Sequence, residues 1–352
     1  MKIKKDNLNC NKKSMILSPI ELINKIPITK QAISTINASR LAIKNILDHK
    51  DNRLLVIIGP CSIHDIKSAK EYANRLVKIR KNLKNNLEIV MRTYMEKPRT
   101  ILGWKGLIND PYINNSFKIN YGLNIARKLL IYINNIGLPV ANEFLDVITP
   151  QYISDLISWG AIGARTTESQ LHRELASGQL CTIGFKNNTN GETKIAIDAI
   201  KAAKASHTFL SINKYGYIDI IKTTGNHNCH IILRGGEKPN YKSINIEKIK
   251  NQLLNNDLST NIMIDCSHAN SEKNFKNQIC VVDNICKQII NGEKSIIGVM
   301  IESNLIEGNQ IFKNKNTIYG KSITDPCLGW EDTEKILNKL SNAVYYSRKS
   351  NK

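Results

Sequence analysis

The stretch Leu54-Leu-Val-Ile-Ile-Gly-Pro-Cys61 has the pattern that decides the fold. An unbroken apolar run rich in β-branched residues is typical of a strand that is buried on both faces, as in a parallel sheet. The run stops at Gly59-Pro60, and the next residue, Cys61, can ligate a metal ion. A buried strand that ends in a chemically useful side chain is the unit that recurs along this chain.

Seven further apolar runs end in the same way. The residues at or just after their ends are Arg92, Glu143, Arg165, Lys186, Arg234, His268 and Glu302. Segments with helical periodicity alternate with the runs, which is typical of a parallel sheet. In a (β/α)8 barrel, the carboxyl ends of the strands together form the active site. The sequence therefore predicts an α/β protein with a (β/α)8 TIM barrel that is an enzyme.

Two segments lie outside this alternation. Residues 1–45 are predicted to be an N-terminal extension, and residues 46–352 to be the catalytic barrel. A ninth strand-like run, 208–212, is separated by Lys214-Tyr-Gly216 from another extended run, with no helix between them. Such a short connection favours an antiparallel hairpin, predicted at 207–223 as an insertion in the barrel. Assembly, regulation and simple packing are all open as its role.

The composition is ordinary for a globular enzyme, since 41% of the 352 residues are hydrophobic and 23% are charged. No apolar run is long enough to cross a bilayer, and the N-terminal residues lack the apolar core of a secretory signal. We therefore expect a cytoplasmic protein with no membrane partner. The formal charge of +20 raises the question of nucleic acid. Because the lysines are dispersed and form no basic stripe, we expect no nucleic-acid partner.

Cationic side chains form the first group at the predicted strand ends and in the loops that follow them. They are Arg92, Lys97, Arg99, Lys105, Arg165, Lys186 and Arg234. Cations beside buried strands are costly without an anionic partner. Arginine binds phosphate and carboxylate through two hydrogen bonds, and lysine supplies a point charge. This group predicts substrates with several negative charges, most simply two phosphorylated molecules.

The second group is a thiol, an imidazole and two carboxylates: Cys61, His268, Glu302 and Asp325. Mixed sulfur, nitrogen and oxygen ligands suit one divalent ion, and Mn, Fe, Co and Zn all remain open. Cys266 and Cys327 are rival ligands from the sequence alone. The alternation of side chains along a strand places Cys266 deeper than His268, which favours packing for this cysteine.

The motifs together resemble a known family, the type I 3-deoxy-D-arabino-heptulosonate-7-phosphate (DAHP) synthases. The segments that carry the resemblance are 59–65, 96–100, 103–111, 158–170, 184–187, 232–236, 265–270 and 307–310. Glu143-Phe-Leu-Asp146 and Cys229–Gly236 most resemble the phenylalanine-sensitive branch. The resemblance implies condensation of phosphoenolpyruvate with erythrose 4-phosphate, the first step of the shikimate pathway to aromatic amino acids.

The resemblance also implies roles for individual residues. Arg165, Lys186, Arg234 and Lys105, with Ala164 beside them, would hold the phosphate of phosphoenolpyruvate, and Arg92 its carboxylate. Lys97 would lie between the substrates, and Lys97-Pro98-Arg99-Thr100 would bind erythrose 4-phosphate. Cys61, His268, Glu302 and Asp325 match the metal ligands. Glu143 is a candidate to position the attacking water. Lys97, His268 and a metal-bound water are the candidates to protonate the new alkoxide.

An aromatic amino-acid effector and a homodimer or homotetramer are further implications of the resemblance. Pro150, Gln151, Leu175, Phe209 and Ser211 fit the effector pocket of the family, whereas Gln179-Leu180 departs from its pattern. We expect Leu180 to fill space in that pocket and to weaken feedback inhibition, because overpacking costs about 1–3 kcal/mol.

Two alternatives remain from the sequence. One is a related synthase that uses another phosphorylated aldose, such as arabinose 5-phosphate, against which the Lys97-Pro-Arg-Thr100 segment argues. The other, more remote, is a basic nucleic-acid-binding protein that has kept the barrel as a scaffold.

Overall fold

Strands and helices alternate along most of the chain in the computed structural model, which describes residues 14–312 and 316–350. The strands are, in chain order, β1 (Leu54–Gly59), β2 (Leu87–Arg92), β3 (Val140–Glu143), β4 (Trp159–Ile162), β5 (Thr182–Lys186), β6 (Thr208–Ile212), β7 (Ile218–Lys222), β8 (Cys229–Leu233), β9 (Ile262–Asp265), β10 (Ile296–Glu302), β11 (Ile306–Asn309) and β12 (Lys321–Ser322).

Eight of these strands close into one parallel barrel, in the order β1–β2–β3–β4–β5–β8–β9–β10, with β10 paired to β1. The predicted (β/α)8 barrel is therefore confirmed. All carboxyl ends of the barrel strands meet at one rim because every neighbouring pair is parallel. β11 and β12 form a small separate pair after the last barrel strand.

Helices cover the outside of the barrel. They are α1 (Pro19–Lys25), α2 (Lys30–Leu47), α3 (Ile66–Leu83), α4 (Ile119–Asn135), α5 (Pro150–Ile153), α6 (Gln170–Ser177), α7 (Lys194–Lys204), α8 (Ser243–Leu254), α9 (Asn277–Ile290) and α10 (Trp330–Ser350), with a short 3-10 helix at Ser154–Leu156. In the described ranges, none of these helices is both long and apolar enough to cross a membrane.

Each barrel strand is buried on both faces, which explains the unbroken apolar runs in the sequence. In β1, Leu54, Val56 and Ile58 pack outward against the helices, whereas Leu55 and Ile57 belong to a second cluster inside the barrel. Trp159 fills the same interior and donates a 3.0 Å hydrogen bond from Nε1 to His230 Nε2. The barrel is thus a packed core and not a pore.

The N-terminal helix α2 belongs to the core. Its apolar residues Ile43, Ile46 and Leu47 join the cluster inside the barrel. Arg40 donates hydrogen bonds to the carbonyl oxygens of Ser154 and Ile157, which ties α2 to the segment before β4. The predicted boundary after residue 45 therefore falls inside a helix that packs against the amino-terminal end of the barrel.

The inserted hairpin is confirmed as the antiparallel pair β6–β7, between α7 and β8. The pairing runs from Thr208 opposite Lys222 to Ile212 opposite Ile218. Much of the hairpin faces solvent, and Leu210, Ile218 and Ile220 are each at least 70% exposed. Apolar side chains on an exposed two-stranded pair are unusual for a surface that stays in water.

Candidate active site

A cavity of about 610 Å³ opens at the carboxyl ends of the barrel strands. The predicted site residues that line it are Arg92, Lys97, Pro98, Arg99, Thr100, Glu143, Ala164, Arg165, Lys186, Arg234, His268, Glu302 and Asp325. The lining contains seven lysine and arginine side chains, since Lys273 joins the predicted ones, and three carboxylates, which leaves a formal excess of four positive charges. The cavity is therefore suited to anionic ligands.

Arg165 and Arg234 carry positive charges that the protein leaves uncompensated. Within the described residues, neither forms an ion pair, although both line the cavity. Burial, and then the neighbouring charge of Arg165, lower the pKa of Arg234 despite the attraction of Asp265. Two close guanidinium groups without a carboxylate partner favour a doubly charged anion such as a phosphate group.

Lys105 departs from its expected place. Its side chain is exposed and does not line the cavity. The loop after β2 folds back on itself, because the Lys97 backbone N–H donates to the Lys105 carbonyl oxygen at 3.0 Å and Glu96 bridges to Gly106. At this turn Lys97 points into the cavity, whereas the Lys105 side chain points to solvent. Lys105 therefore does not lie with the other predicted phosphate-binding residues.

Three of the four predicted metal ligands come together. The ligand atoms of Cys61, Glu302 and Asp325 all lie within 4.8 Å of one another. The Lys97 ammonium group lies among them, 2.9 Å from Cys61 Sγ and 2.7 Å from Asp325 Oδ2. Cys266 and Cys327 are buried but do not join this group of ligand atoms. The donor set that the structure assembles is one thiol and two carboxylates.

The electrostatics of this group favour a cation at its centre. Burial, reinforced by the nearby carboxylates, raises the pKa of the Cys61 thiol to about 12. Burial acts to lower the pKa of Lys97, but Cys61 and Asp325 outweigh it and hold that pKa above its usual range. Burial opposes ionisation of Asp325 as well, yet Lys97 keeps the pKa of this carboxyl well below its usual range.

Glu302 is oriented by Arg92. Arg92 Nη2 lies 3.0 Å from Glu302 Oε1, and both side chains are only 2% exposed. Apart from this ion pair, the buried Oε1 atom accepts no hydrogen bond within the described residues, which leaves a lone pair for a metal ion. Arg92 is itself fixed by the carbonyl oxygens of Pro60 and Cys61 and by stacking over Tyr94, 3.7 Å from the ring centre. The Cys61 thiol and the carboxylates of Glu302 and Asp325 together fit a divalent metal ion.

His268, the fourth predicted ligand, lines the cavity but lies outside the group of three. Its Nδ1 atom is 3.0 Å from Asp265 Oδ2 and 2.6 Å from Ser267 Oγ. The backbone of His268 is left-handed, with φ of 58°, a conformation that costs energy for a residue with a side chain. The position of the ring is thus set by Asp265 and Ser267, and the role of His268 as a ligand stays a prediction.

Glu143 reaches the cavity from the end of β3, and it is 7% exposed. Its approach depends on Gly163, because a Cβ atom at residue 163 would lie 2.1 Å from Glu143 Oε1. Any larger residue at this place would displace the carboxylate. The Gly163-Ala-Arg165 segment after β4 therefore serves two purposes, leaving space for a carboxylate and presenting a guanidinium group.

Sequence reasoning missed two buried carboxylates beside the site. Asp265 is fully buried at the end of β9 and contacts Lys186 at 2.8 Å, and Glu96 is 3% exposed directly before Lys97. Asp265 carried a signal, because it ends an apolar run three residues before His268. Glu96 carried none, since a carboxylate in a polar loop is usually solvated.

A second cavity, of about 250 Å³, lies between the hairpin and α6. Leu175, Phe209 and Ser211 line it, as predicted for the effector pocket. Pro150, Gln151, Gln179 and Leu180 do not. The expectation that Leu180 fills this pocket is wrong: its side chain is 84% exposed, because α6 ends at Ser177 and the chain turns at Gly178. Leu180 therefore gives no physical reason for weakened inhibition.

Comparison with known proteins agrees with the fold and the site. The chain matches the DAHP synthetase I family over residues 25–338. A phospho-2-dehydro-3-deoxyheptonate aldolase of Escherichia coli (strain K12), named as Phe-sensitive, is 58% identical over 345 residues, covering 98% of this chain and 99% of the relative. A Trp-sensitive relative from the same strain is 53% identical over 340 residues, covering 96% and 98%.

A solved structure of the phospho-2-dehydro-3-deoxyheptonate aldolase from Francisella tularensis SCHU S4 has the same fold, with a TM-score of 0.95. It is 49% identical to this chain, and the match covers 96% of this chain and 99% of the other. The barrel, its cationic cavity and these matches define an enzyme of aromatic biosynthesis. The chain belongs to the DAHP synthetase I family, the DAHP synthases that catalyse the first step of the shikimate pathway. The fold and function expected from the resemblance are confirmed.

Glu96 supplies a test of the electrostatics beside the site. Burial, and then the charge of Asp146, raise the pKa of Glu96 to about 7, although Thr149 Oγ1 donates to Glu96 Oε2 at 2.9 Å. Because the pKa is higher in the folded state than in the unfolded state, protonated Glu96 contributes to the free energy of unfolding. This contribution is complete below the ordinary pKa of 4.5 and is lost as the pH rises through 7. In Glu96→Gln this loss is absent, so the variant should match the wild type at pH 4 and have a larger free energy of unfolding at pH 8, by up to about 3 kcal/mol.

Thermal unfolding at both pH values measures the difference, with Glu331→Gln on the exposed face of α10 as the control. Equal stability of Glu96→Gln and the wild type at pH 8 would contradict the raised pKa.

Proposed function

We propose that the cavity binds phosphoenolpyruvate and erythrose 4-phosphate together and joins them to DAHP with release of phosphate. The observation that carries the proposal is the placement of uncompensated cations from several strand ends next to the Cys61, Glu302 and Asp325 group. Two phosphate groups and a carboxylate would more than offset the positive excess of the lining. The family assignment favours this reaction over synthesis from another aldose.

The cations divide the cavity between the two substrates. Arg165, Arg234 and Lys186 would hold the phosphate of phosphoenolpyruvate. Among the described residues the two arginines have no carboxylate partner, and Lys186 pairs with Asp265. Arg92 is suited to the carboxylate. The Lys97–Thr100 loop lines the cavity next to these residues and would take erythrose 4-phosphate, with the guanidinium group of Arg99 for its phosphate. Binding two anions side by side in fixed positions supplies much of the rate through orientation.

Cys61, Glu302 and Asp325 would hold one divalent ion. His268 would join them through Nε2, since its hydrogen-bonding partners Asp265 and Ser267 are on Nδ1. When bound, such an ion supplies Lewis-acid chemistry at the aldehyde oxygen. Mn, Fe, Co and Zn all suit these ligands, and the donor set does not select one. Lys97 would turn from Cys61 and Asp325 toward the substrates, since its ammonium group lies where the donor atoms converge.

The bond changes follow from this arrangement. C3 of phosphoenolpyruvate attacks the aldehyde carbon, and a carbon–carbon bond forms while the aldehyde oxygen becomes an alkoxide. Lys97 or His268 would protonate that oxygen. C2 becomes electron-poor and takes up a water molecule, which the carboxylate of Glu143 would position, and one water proton replaces the proton given to the alkoxide. The C2–O bond to phosphate then breaks, the C2 hydroxyl loses its proton to the departing phosphate, and C2 becomes the ketone. The preorganised cations neutralise the departing phosphate without solvent reorganisation.

The reaction is tested by the loss of phosphoenolpyruvate after chelator treatment and reloading with each candidate metal. Turnover with erythrose 4-phosphate should disappear on chelation and return with metal. Cys61→Ala should lose more than about 100-fold of the activity, because a direct ligand is removed. Cys266→Ala, a buried cysteine outside the ligand group, is the matched control. Faster turnover with arabinose 5-phosphate, or full activity in Cys61→Ala, would refute the proposal.

The cavity beside the hairpin is proposed to bind an aromatic amino acid as an effector. Its size of about 250 Å³ and its apolar lining of Val147, Leu171, Leu175 and Phe209 suit one aromatic side chain. The names of the two E. coli relatives, Phe-sensitive and Trp-sensitive, support an effector of this class.

Phe209→Ala should weaken inhibition by phenylalanine about tenfold, because it removes an aromatic contact from the cavity wall. Leu180→Ser is the control and should leave the inhibition constant unchanged, since Leu180 faces solvent. The measurement is the phenylalanine concentration that halves turnover. No inhibition of the wild type, or an equal effect of both substitutions, would refute this binding site.

The exposed face of the hairpin supports a homodimer or homotetramer. Leu210, Ile218 and Ile220 would be buried against a second copy of the chain. Ile220→Lys should lower the mass measured by sedimentation, because a buried lysine is costly at such an interface. Thr224→Lys, an exposed position just beyond the hairpin, is the control. An unchanged mass in Ile220→Lys would exclude this face as the contact.

A further inference from the structure

One buried carboxylate connects the two halves of the candidate site. Asp265, at the end of β9, has no exposed surface. Its Oδ2 atom accepts a hydrogen bond from Lys186 Nζ at 2.8 Å and lies 3.0 Å from His268 Nδ1. Lys186 belongs to the cations proposed to bind phosphate, and His268 is the predicted metal ligand. A single oxygen atom is therefore shared between the anion site and the metal site.

The other oxygen of Asp265 is occupied by Ser267. The Ser267 backbone N–H donates to Asp265 Oδ1 at 3.1 Å, and Ser267 Oγ donates to the same atom at 2.6 Å. Because both donors come from the next turn of the chain, they hold the carboxylate in one orientation. Oδ2 thus remains directed at Lys186 and His268.

This arrangement fixes the hydrogen on the imidazole ring. Ser267 Oγ gives its proton to Asp265 and can therefore only accept from His268 Nδ1, which lies 2.6 Å away. Nδ1 then carries the hydrogen, and the lone pair of the neutral ring lies on Nε2. When the second nitrogen of a histidine ligand donates a hydrogen bond to a carboxylate, the ligating nitrogen becomes more basic. The ring is also held in the orientation that the metal needs.

We infer that Asp265 is a positioning residue that couples phosphate binding at Lys186 to divalent-metal binding at His268. A phosphate group would draw the Lys186 ammonium away from Oδ2, because a dianion attracts it more strongly than a shared carboxylate oxygen does. The negative charge of Oδ2 would then be directed at the Nδ1 hydrogen, which strengthens Nε2 as a metal ligand. By linkage, bound metal must strengthen phosphate binding by the same factor.

The inference rests on the proposed function, in that Lys186 is taken to bind the phosphate of phosphoenolpyruvate. Direct attraction between a bound anion and a bound cation would also produce positive coupling. Coupling in the wild type alone is therefore not diagnostic. What identifies Asp265 is the part of the coupling that disappears when its charge is removed.

The experiment measures Co²⁺ binding to the chelator-treated full chain, by calorimetry and by the visible absorption of the bound ion. Each titration is done with and without saturating phosphoenolpyruvate, in the absence of aldehyde so that no turnover occurs. Asp265→Asn keeps the shape of the side chain and removes its charge. Its metal affinity without phosphoenolpyruvate should fall about 10- to 100-fold. The factor by which phosphoenolpyruvate increases the Co²⁺ affinity should also be markedly smaller in this variant than in the wild type.

Ser267→Ala is the matched control, because it removes a contact with Oδ1 and leaves Oδ2 with both of its partners. It should lower metal affinity but retain the tightening by phosphoenolpyruvate. A coupling factor in Asp265→Asn equal to that of the wild type would overturn the inference. If the wild-type chain neither binds nor turns over phosphoenolpyruvate, the proposed function fails instead.

A double-mutant cycle tests the coupling between Lys186 and His268 without phosphoenolpyruvate. If Asp265→Asn does not fold, Asp265→Ser takes its place in the cycle. Lys186→Gln should tighten Co²⁺ binding in the wild-type background, because Oδ2 is released to His268. The same substitution should have a much smaller effect when residue 265 carries no charge. Equal effects in both backgrounds would mean that Lys186 acts on the metal only through direct repulsion, and the proposed role of Asp265 would be rejected.

Discussion

Closure of the parallel barrel is the constraint on which the site depends. Once β10 pairs with both β1 and β9, Glu302 lies opposite Gly59 and Met300 lies opposite Asp265. The segments that follow these strand ends then have to converge above the barrel. Cys61, Glu302 and Asp265 are far apart in sequence, yet the hydrogen-bonded register leaves them in adjacent places on one rim. The packed interior, with Trp159 and His230, keeps this rim from deforming.

Charge balance then determines how the rim is arranged. Three of the cations at the cavity have protein carboxylates as partners: Arg92 with Glu302, Lys97 with Asp325, and Lys186 with Asp265. A buried charge without a partner is costly, so these pairs reduce the cost of holding the three cations at the cavity before any ligand is bound. Arg165 and Arg234 lack carboxylate partners within the described residues. Their unbalanced positive charges make the cavity attractive to phosphate groups.

The additions to the barrel act at a distance from this rim. α2 crosses the predicted boundary after residue 45, and its Ile43, Ile46 and Leu47 belong to the core inside the barrel. The hairpin instead leaves apolar side chains in solvent and borders a second cavity with α6. The helix α6 begins shortly after Arg165, so the wall of this second cavity follows closely along the chain from one of the phosphate-binding candidates.

The sequence by itself determined the barrel, the hairpin and the chemical groups at the strand ends, because apolar runs and short connections are local features. It also indicated the cationic character of the cavity, which depends only on residue types. Only the tertiary structure decided which groups meet: Asp265 with both Lys186 and His268, Lys97 with Cys61, and Glu96 in a buried place. It also turned Lys105 and Leu180 outward. These contacts depend on loop backbone angles and on partners distant in sequence, and no local pattern encodes them.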